Sequence, residues 1–289
     1  MNRRKWNLPP GPPGIPGVGN IFTVMKTPHK AHSKLKEKYG DIYQFKLGTK
    51  RVVCLGNVQL IKECFNDPNY NGRAKEMLTC ILSQGQHGII VSEGQEWVEQ
   101  RRFTLRHLRD FGFGKNLMEN LIMEEKLDDF TKPSLAGILK EGNPRDFIDA
   151  YLYEIKKTAD PGSSFYKDDG VRSLLAVIGD LFFAGAETSS ATLAWSVLYL
   201  AVNPQVQKKL QGQIDEVVGK SRQVTLADRS NLPYAEATLQ EIFRKSSLVV
   251  TGLVHSAGKD TTLAGYDIPK GTWMMPNIYA IHHDAKLWG

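Results

Sequence analysis

Apolar residues recur at helical spacing at Val171, Leu174, Leu175, Ile178, Leu181 and Phe182, and again at Leu193, Val197, Leu198 and Ala201. The run closes at Asn203-Pro204. This spacing predicts one helix of about thirty residues, ~45 Å long at 1.5 Å per residue, enough to cross a whole domain. In its middle stand Ala184-Gly185-Ala186-Glu187-Thr188-Ser189. Gly185 costs about 1 kcal/mol against alanine. Glu187 is expensive to bury without a partner. Thr188 can bond its hydroxyl back to the carbonyl of Ala184 and loosen the turn. Together they predict a helix opened on one side, with a proton donor and a hydroxyl facing the gap. A kinked core helix with a solvated Glu187 fits the same residues.

A second motif is Glu241-Ile242-Phe243-Arg244, on a helix predicted to start at Pro233, a residue suited to the first helical position. Glu241 and Arg244 share a face and can pair. A third is Trp97-Val98-Glu99-Gln100-Arg101, which sets an indole N–H and a guanidinium on one helical face. Both are donors only, so they suit an anionic group such as a carboxylate.

In their order these motifs resemble a cytochrome P450 of the animal microsomal kind related to family 2. The resemblance runs from Leu8 to Gly289. It includes Leu8-Pro9-Pro10-Gly11-Pro12-Pro13-Gly14, Asn143-Pro144-Arg145-Asp146-Phe147-Ile148-Asp149, Gly265-Tyr266-Asp267-Ile268-Pro269-Lys270-Gly271-Thr272 and Ala280-Ile281-His282-His283-Asp284. It implies a mainly α fold with a small β-sheet, and a monooxygenase that hydroxylates or epoxidises apolar small molecules with O2. The implied cofactor is haem b. Its carboxylates would be held by Arg73, Trp97, Arg101 and His255; a lone histidine at a strand end is the other reading of His255. Val250 and Val254 stand where the family usually has proline. Gly185, Glu187 and Thr188 would make room for oxygen and relay protons. Glu241 and Arg244 would be a structural pair beneath the haem.

The family's iron ligand is a cysteine thiolate in a Phe-x-x-Gly-x-x-x-Cys-x-Gly loop downstream of Glu-x-x-Arg. No such loop occurs in residues 1–289. The three cysteines, Cys54, Cys64 and Cys80, lie far upstream and read as small buried residues or free thiols. They suggest neither a disulfide framework nor a metal site, and a reducing compartment is the simpler assumption. No metal ligand is therefore expected, and a non-catalytic, truncated P450-like polypeptide is the alternative reading. Only residues 126 to 142 separate the regions matching Glu125 and Asn143, too few for the several roof helices the family places there. The expected organisation is a Pro/Gly-rich hinge over 1–20 and a partial P450 domain over 21–289, with an internal deletion between 125 and 143.

With 37 basic and 31 acidic residues the chain carries a net charge of +6. It lacks the dense basic stripe of a nucleic-acid binder and suits an anionic membrane surface or an acidic partner. No run of about 18 consecutive apolar residues predicts a membrane-spanning helix. The resemblance implies the cytosolic face of the endoplasmic reticulum membrane, with NADPH-cytochrome P450 reductase, and cytochrome b5 as a further candidate, delivering electrons. Arg102, Arg106 and Arg109 fall on a face of the 96–108 helix away from Trp97 and Arg101. They read as a docking patch for that donor or as a solvated face.

Overall fold

β-Branched and aromatic residues alternate with polar ones over 42–47, and a mostly apolar run follows over 50–55. The two form an antiparallel hairpin, β1 (Ile42–Leu47) with β2 (Lys50–Leu55). Gly48, at φ +59°, makes the turn, a backbone that favours glycine. The residue pattern by itself predicts strands over 41–47 and 51–55, within a residue of these. In the computed structural model the described residues are 6–74, 87–113, 144 and 146–289. Cys80, Asn143, Arg145 and the bridge 126–142 lie outside them. The chain divides into two units, Met1–Met77 with Ile242–Gly289, and Leu78–Glu241.

The first unit holds a mixed sheet in the order β1-β2-β7-β4-β3. β7 (Trp273–Pro276) runs parallel to β2, β4 (His255–Ser256) antiparallel to β7, and β3 (Gly72–Arg73) antiparallel to β4. Successive residues of a strand point to opposite faces. Tyr43, Phe45, Val52, Cys54, Trp273 and Met275 thus pack with Val24 and Leu35, from α1 (Ile21–Met25) and α2 (Pro28–Tyr39). Ile42, Val53, Leu55 and Met274 pack on the other side with Leu60 and Cys64 of α3 (Val58–Asn66) and with Ile268. Asn57 caps α3 as its sequence suggests, accepting the Leu60 N–H at 2.8 Å. Ile268 lies in a second hairpin, β5 (Thr261–Leu263) with β6 (Tyr266–Ile268).

Residues 7–20, expected as a hinge, run along this unit. Gln44 N–H donates to the Pro10 carbonyl at 2.8 Å, and Asn20 and Lys46 bond each other through Asn20 N–H to Lys46 O and Lys46 N–H to Asn20 Oδ1. Asn7 and Asp267 likewise exchange hydrogen bonds.

The second unit is helical: α4 (Gly94–Asp110), α5 (Phe147–Lys157), α6 (Lys167–Val202) and α7 (Pro204–Val217), with α8 (Pro233–Ser246) beginning in it. Its core gathers Tyr151, Phe165 and Leu174 with Phe103, Phe147 and Ile178. Phe103 meets Tyr151 edge-on at 5.1 Å between ring centroids, within the favoured range for aromatic pairs. The capping box at Thr225 and Asp228 forms as the sequence suggests.

At 36 residues α6 exceeds the predicted length. It stays α-helical through Gly185–Ser189, so the expected opening on one side is absent. Thr188 does bond back, Oγ1 to the Ala184 carbonyl at 2.5 Å, but the hydroxyl shares that carbonyl without breaking the turn. Thr192 and Ser196 repeat the bond to Thr188 O and Thr192 O. By length and composition α6 is apolar enough to cross a membrane, with a window of mean hydropathy 1.3 that is 17% buried. Glu187 and the hydroxyl residues interrupt the apolar run, which is why a count of consecutive residues misses it.

Candidate functional site

In the first unit the short pairing of β3 with β4 sets Arg73 opposite His255. His255 Nδ1 lies 3.0 Å from the Tyr70 carbonyl, which can only accept, so Nδ1 carries the proton. Nε2 is then the acceptor for Arg73 Nη1 at 3.2 Å. Arg73 Nη1 also donates to the Asn71 carbonyl. The imidazole stacks on Phe65 at 4.4 Å. Burial first, then the Arg73 cation, pushes the His255 pKa down, so the ring is neutral at neutral pH. His255 is therefore held in one tautomer against a buried cation, not left alone at a strand end.

Trp97 and Arg101 lie one turn apart on α4 in the second unit, the guanidinium carbon 5.4 Å from the indole centroid. That geometry holds the guanidinium against the ring face and keeps its N–H groups available to an anion. Arg101, Arg102, Arg106 and Arg109 are exposed. All of these arginines lie on α4, the helix their periodicity predicts.

Gly185, Glu187 and Thr188 are exposed on α6. A Cβ at Gly185 meets nothing within 4 Å. Glu187 makes no hydrogen bond or ion pair among the described residues. On α8, Arg244 donates to the His282 carbonyl and lies 4.9 Å from the Trp288 ring. It is thus tied to α9 (Ile278–His282) and α10 (Ala285–Trp288).

Sequence reasoning missed Asp180. Its Oδ2 accepts both Ile89 N–H at 2.7 Å and Ile90 N–H at 3.0 Å, clasping the turn before α4 to α6. Burial raises its pKa, while the two backbone bonds pull it down. Gly88 is needed here: its φ is +89°, and a Cβ would meet Asp180 Oδ2 at 2.4 Å. Also missed was the strap of 163–164 onto α4. Glu99 Oε2 accepts Ser164 N–H at 3.0 Å and Ser164 Oγ at 2.7 Å, and Gln100 Nε2 donates to Ser164 Oγ at 3.0 Å. Burial opposes ionisation of Glu99, but these bonds outweigh it and its pKa falls. Beside the strap is a cavity of about 210 Å³ lined by His87, Glu96, Ser163, Ser164, Asp169 and Ser173. These partners lie far apart in sequence, and no local pattern announces them.

Cys54 and Cys64 are buried and free. Burial pushes each thiol up to about 12. A metal-binding thiolate needs the opposite, a lowered pKa and an approachable sulfur. Among the described residues no group of three or more His, Cys, Asp or Glu could hold a metal ion.

Comparison with known proteins places the arrangement. The family description "Cytochrome P450" matches residues 9–133 and 122–289. Cytochrome P450 2J2 of Homo sapiens is 31% identical over 383 aligned residues, covering 99% of this chain and 75% of that protein. Cytochrome P450 2B4 of Oryctolagus cuniculus is 29% identical over 378 residues, covering 97% and 76%. A solved zebra fish cytochrome P450 structure with progesterone superposes with a TM-score of 0.76 at 25% identity, covering 90% of this chain and 81% of that one.

Proposed function

The chain belongs to the cytochrome P450 family, and on that premise we propose that it serves a haem-thiolate monooxygenase reaction at the cytosolic face of the endoplasmic reticulum membrane. The reaction is hydroxylation or epoxidation of an apolar small molecule, with electrons from NADPH-cytochrome P450 reductase or cytochrome b5 and haem b as cofactor. The observation that carries this reading is the family match over nearly the whole chain, 9–133 and 122–289. The overlap of the two matched pieces, and an alignment of 383 positions against a chain of 289 residues, support an internal deletion near 125–143.

The residues present fit one part of the cofactor and not another. Haem presents carboxylates, and Arg73 with His255 and Trp97 with Arg101 are donors suited to them. Arg73 is already buried and oriented by His255, so little ordering remains to be done on binding. The iron is another matter, because Cys54 and Cys64 are held as neutral buried thiols. When bound, haem supplies the oxygen chemistry. The chain's own part is to move protons: Thr188 Oγ1 commits its proton to Ala184 O and leaves its lone pairs open to a donor. Glu187, next to it on the exposed face, is the group from which a proton would be delivered.

A haem titration followed by Soret absorbance tests the reading. Arg73→Gln and Arg101→Gln should each weaken binding, by about tenfold for one charge-assisted bond of ~1.4 kcal/mol. Equal affinity in parent and both variants would remove these residues from the cofactor site. The state of Cys54 and Cys64 favours a second reading, a P450-like polypeptide that binds haem or a partner without catalysis. Under it, haem affinity responds to Arg73 and Arg101 but no product forms when reductase and NADPH are added.

A further inference from the structure

The clearest unassigned surface is one face of α6. Toward its start the helix buries Ser173, Leu174, Val177 and Asp180, whereas every residue from Phe182 to Ser190 is exposed. Eleven residues make three helical turns to within about 20°. Val171, Phe182 and Leu193 are eleven apart, and so are Leu175, Ala186 and Val197. These six therefore form one apolar stripe along a straight helix. Phe182, Leu193 and Val197 are 77%, 68% and 70% exposed, and Val171, Leu175 and the adjoining Phe183 are exposed as well. At those exposures the stripe offers on the order of 600 Å² of apolar side chain per copy. Two such faces would bury ~1,200 Å², the size at which specific, stable interfaces begin.

The stripe is also self-complementary. Its midpoint is Ala186. Turned end for end about that residue, the helix sets Phe182 against Ser190, Phe183 against Ser189, and Leu193 against Gly179. Each large side chain thus meets a small one, as close packing of facing helices requires. A Cβ at Gly179 meets nothing within 4 Å, so the notch for Leu193 is open. The serine hydroxyls can turn back to the carbonyl four residues earlier, as those of Thr188, Thr192 and Ser196 do. Glu187 and Thr188 lie about 100° and 160° around the helix from Ala186, away from the centre of such a pairing. A carboxylate one residue from the midpoint is expensive in hydrocarbon, which selects a protein face over a bilayer as the occupant.

We propose that two copies of this chain pair antiparallel through the Val171–Val197 face of α6, about a two-fold axis at Ala186. Identical patches then meet, and the contact closes at two chains. The inference goes beyond the monooxygenase reading and involves no haem.

Sedimentation velocity of the full chain tests it. The dimer should sediment as twice 32.4 kDa and dissociate on dilution. Phe182→Asp takes two phenylalanines from each dimer and sets two like charges near its axis. The dissociation constant should rise at least a hundredfold. Leu198→Ser, off the stripe, should leave it unchanged. These positions are exposed, and circular dichroism matching the parent shows the fold retained. Cysteine pairing reads the register. In a Cys80→Ser background, Gly179→Cys chains mixed with Leu193→Cys chains should oxidise to a mixed dimer. Neither variant should cross-link alone, because its two cysteines would lie ~21 Å apart along the axis, beyond disulfide reach. A parent that stays monomeric or forms open-ended oligomers overturns the proposal. So does a Phe182→Asp variant that pairs like the parent, or cross-linking of each cysteine variant with itself and not across the mixture. A failed haem titration with an intact dimer sinks only the monooxygenase reading, and the reverse result sinks only this one.

Discussion

Replacing Asp180 with alanine removes the carboxylate oxygen that accepts from both Ile89 N–H and Ile90 N–H. A buried donor left unsatisfied costs about 1–3 kcal/mol. Both isoleucines are half-buried, so the lower end applies to each. The sum is offset in part because alanine no longer buries a carboxylate. The expected net loss is about 2 kcal/mol, confined to the turn before α4 and its seat on α6. Amide hydrogen exchange reads this directly: protection at Ile89 and Ile90 should fall about thirtyfold. Asp180→Asn should behave differently. Both bonds end on the same oxygen, Oδ2, and an amide oxygen in its place can accept both, so the loss should stay within about 1 kcal/mol. The pH dependence has a fixed sign. Because the folded pKa of Asp180 is raised, the folded state holds that proton more tightly than the unfolded state. Its contribution is present in acid and is lost as pH rises through the folded value. The asparagine variant should lack that component. Unchanged exchange at 89 and 90 in the alanine variant, or asparagine as damaging as alanine, would refute the clasp.

Further expectations follow from single sites. His32 is buried, with Tyr43 Oη 3.1 Å from Nδ1, and burial lowers its pKa to about 4. Stability of the first unit should fall by about 3 kcal/mol as pH drops from 6.5 to 4, since the unfolded histidine takes the proton first. A denaturant titration at several pH values checks this, and His32→Gln should flatten the curve. Ala264 sits at φ +49° before Gly265 at +81° in the β5–β6 turn, a pairing that favours Asn-Gly. Ala264→Asn should raise stability by about 0.5–1 kcal/mol, read from the thermal midpoint. Thr104 Oγ1 is buried without a hydrogen-bond partner among the described residues. Thr104→Val should be neutral or stabilising by up to ~1 kcal/mol in chemical denaturation; a clear loss would mean that the hydroxyl has a partner.

What the sequence disclosed was local. Periodicity located α6 and α4, Asn57 and Thr225 announced their caps, and Thr188 could be seen to reach Ala184 because the bond spans one helical turn. Trp97 and Arg101 were brought together by the same 3.6-residue repeat. Contacts across the chain were hidden. Asp180 and Ile89 lie ninety-one positions apart, and only folding shows that one carboxylate serves both amides. His255 looked ambiguous because its meaning depends on the strand opposite, where Arg73 sits. The Pro-rich segment read as a hinge because proline patterns reveal stiffness and not what the segment lies on. The helix at Gly185 looked prone to open because propensity scales count local costs, whereas α6 continues for more than four turns on either side of that glycine and helix formation is cooperative.

The most direct measurement is the spectrum of the purified chain loaded with haem, reduced, and exposed to carbon monoxide. The account holds that the cation pairs admit haem while the buried, protonated Cys54 and Cys64 do not ligate its iron. The expected spectrum shows bound haem without the red-shifted Soret band of a thiolate complex. A red-shifted band that vanishes in Cys54→Ser or Cys64→Ser would show a cysteine ligating iron from a site the structure closes, and would contradict the account.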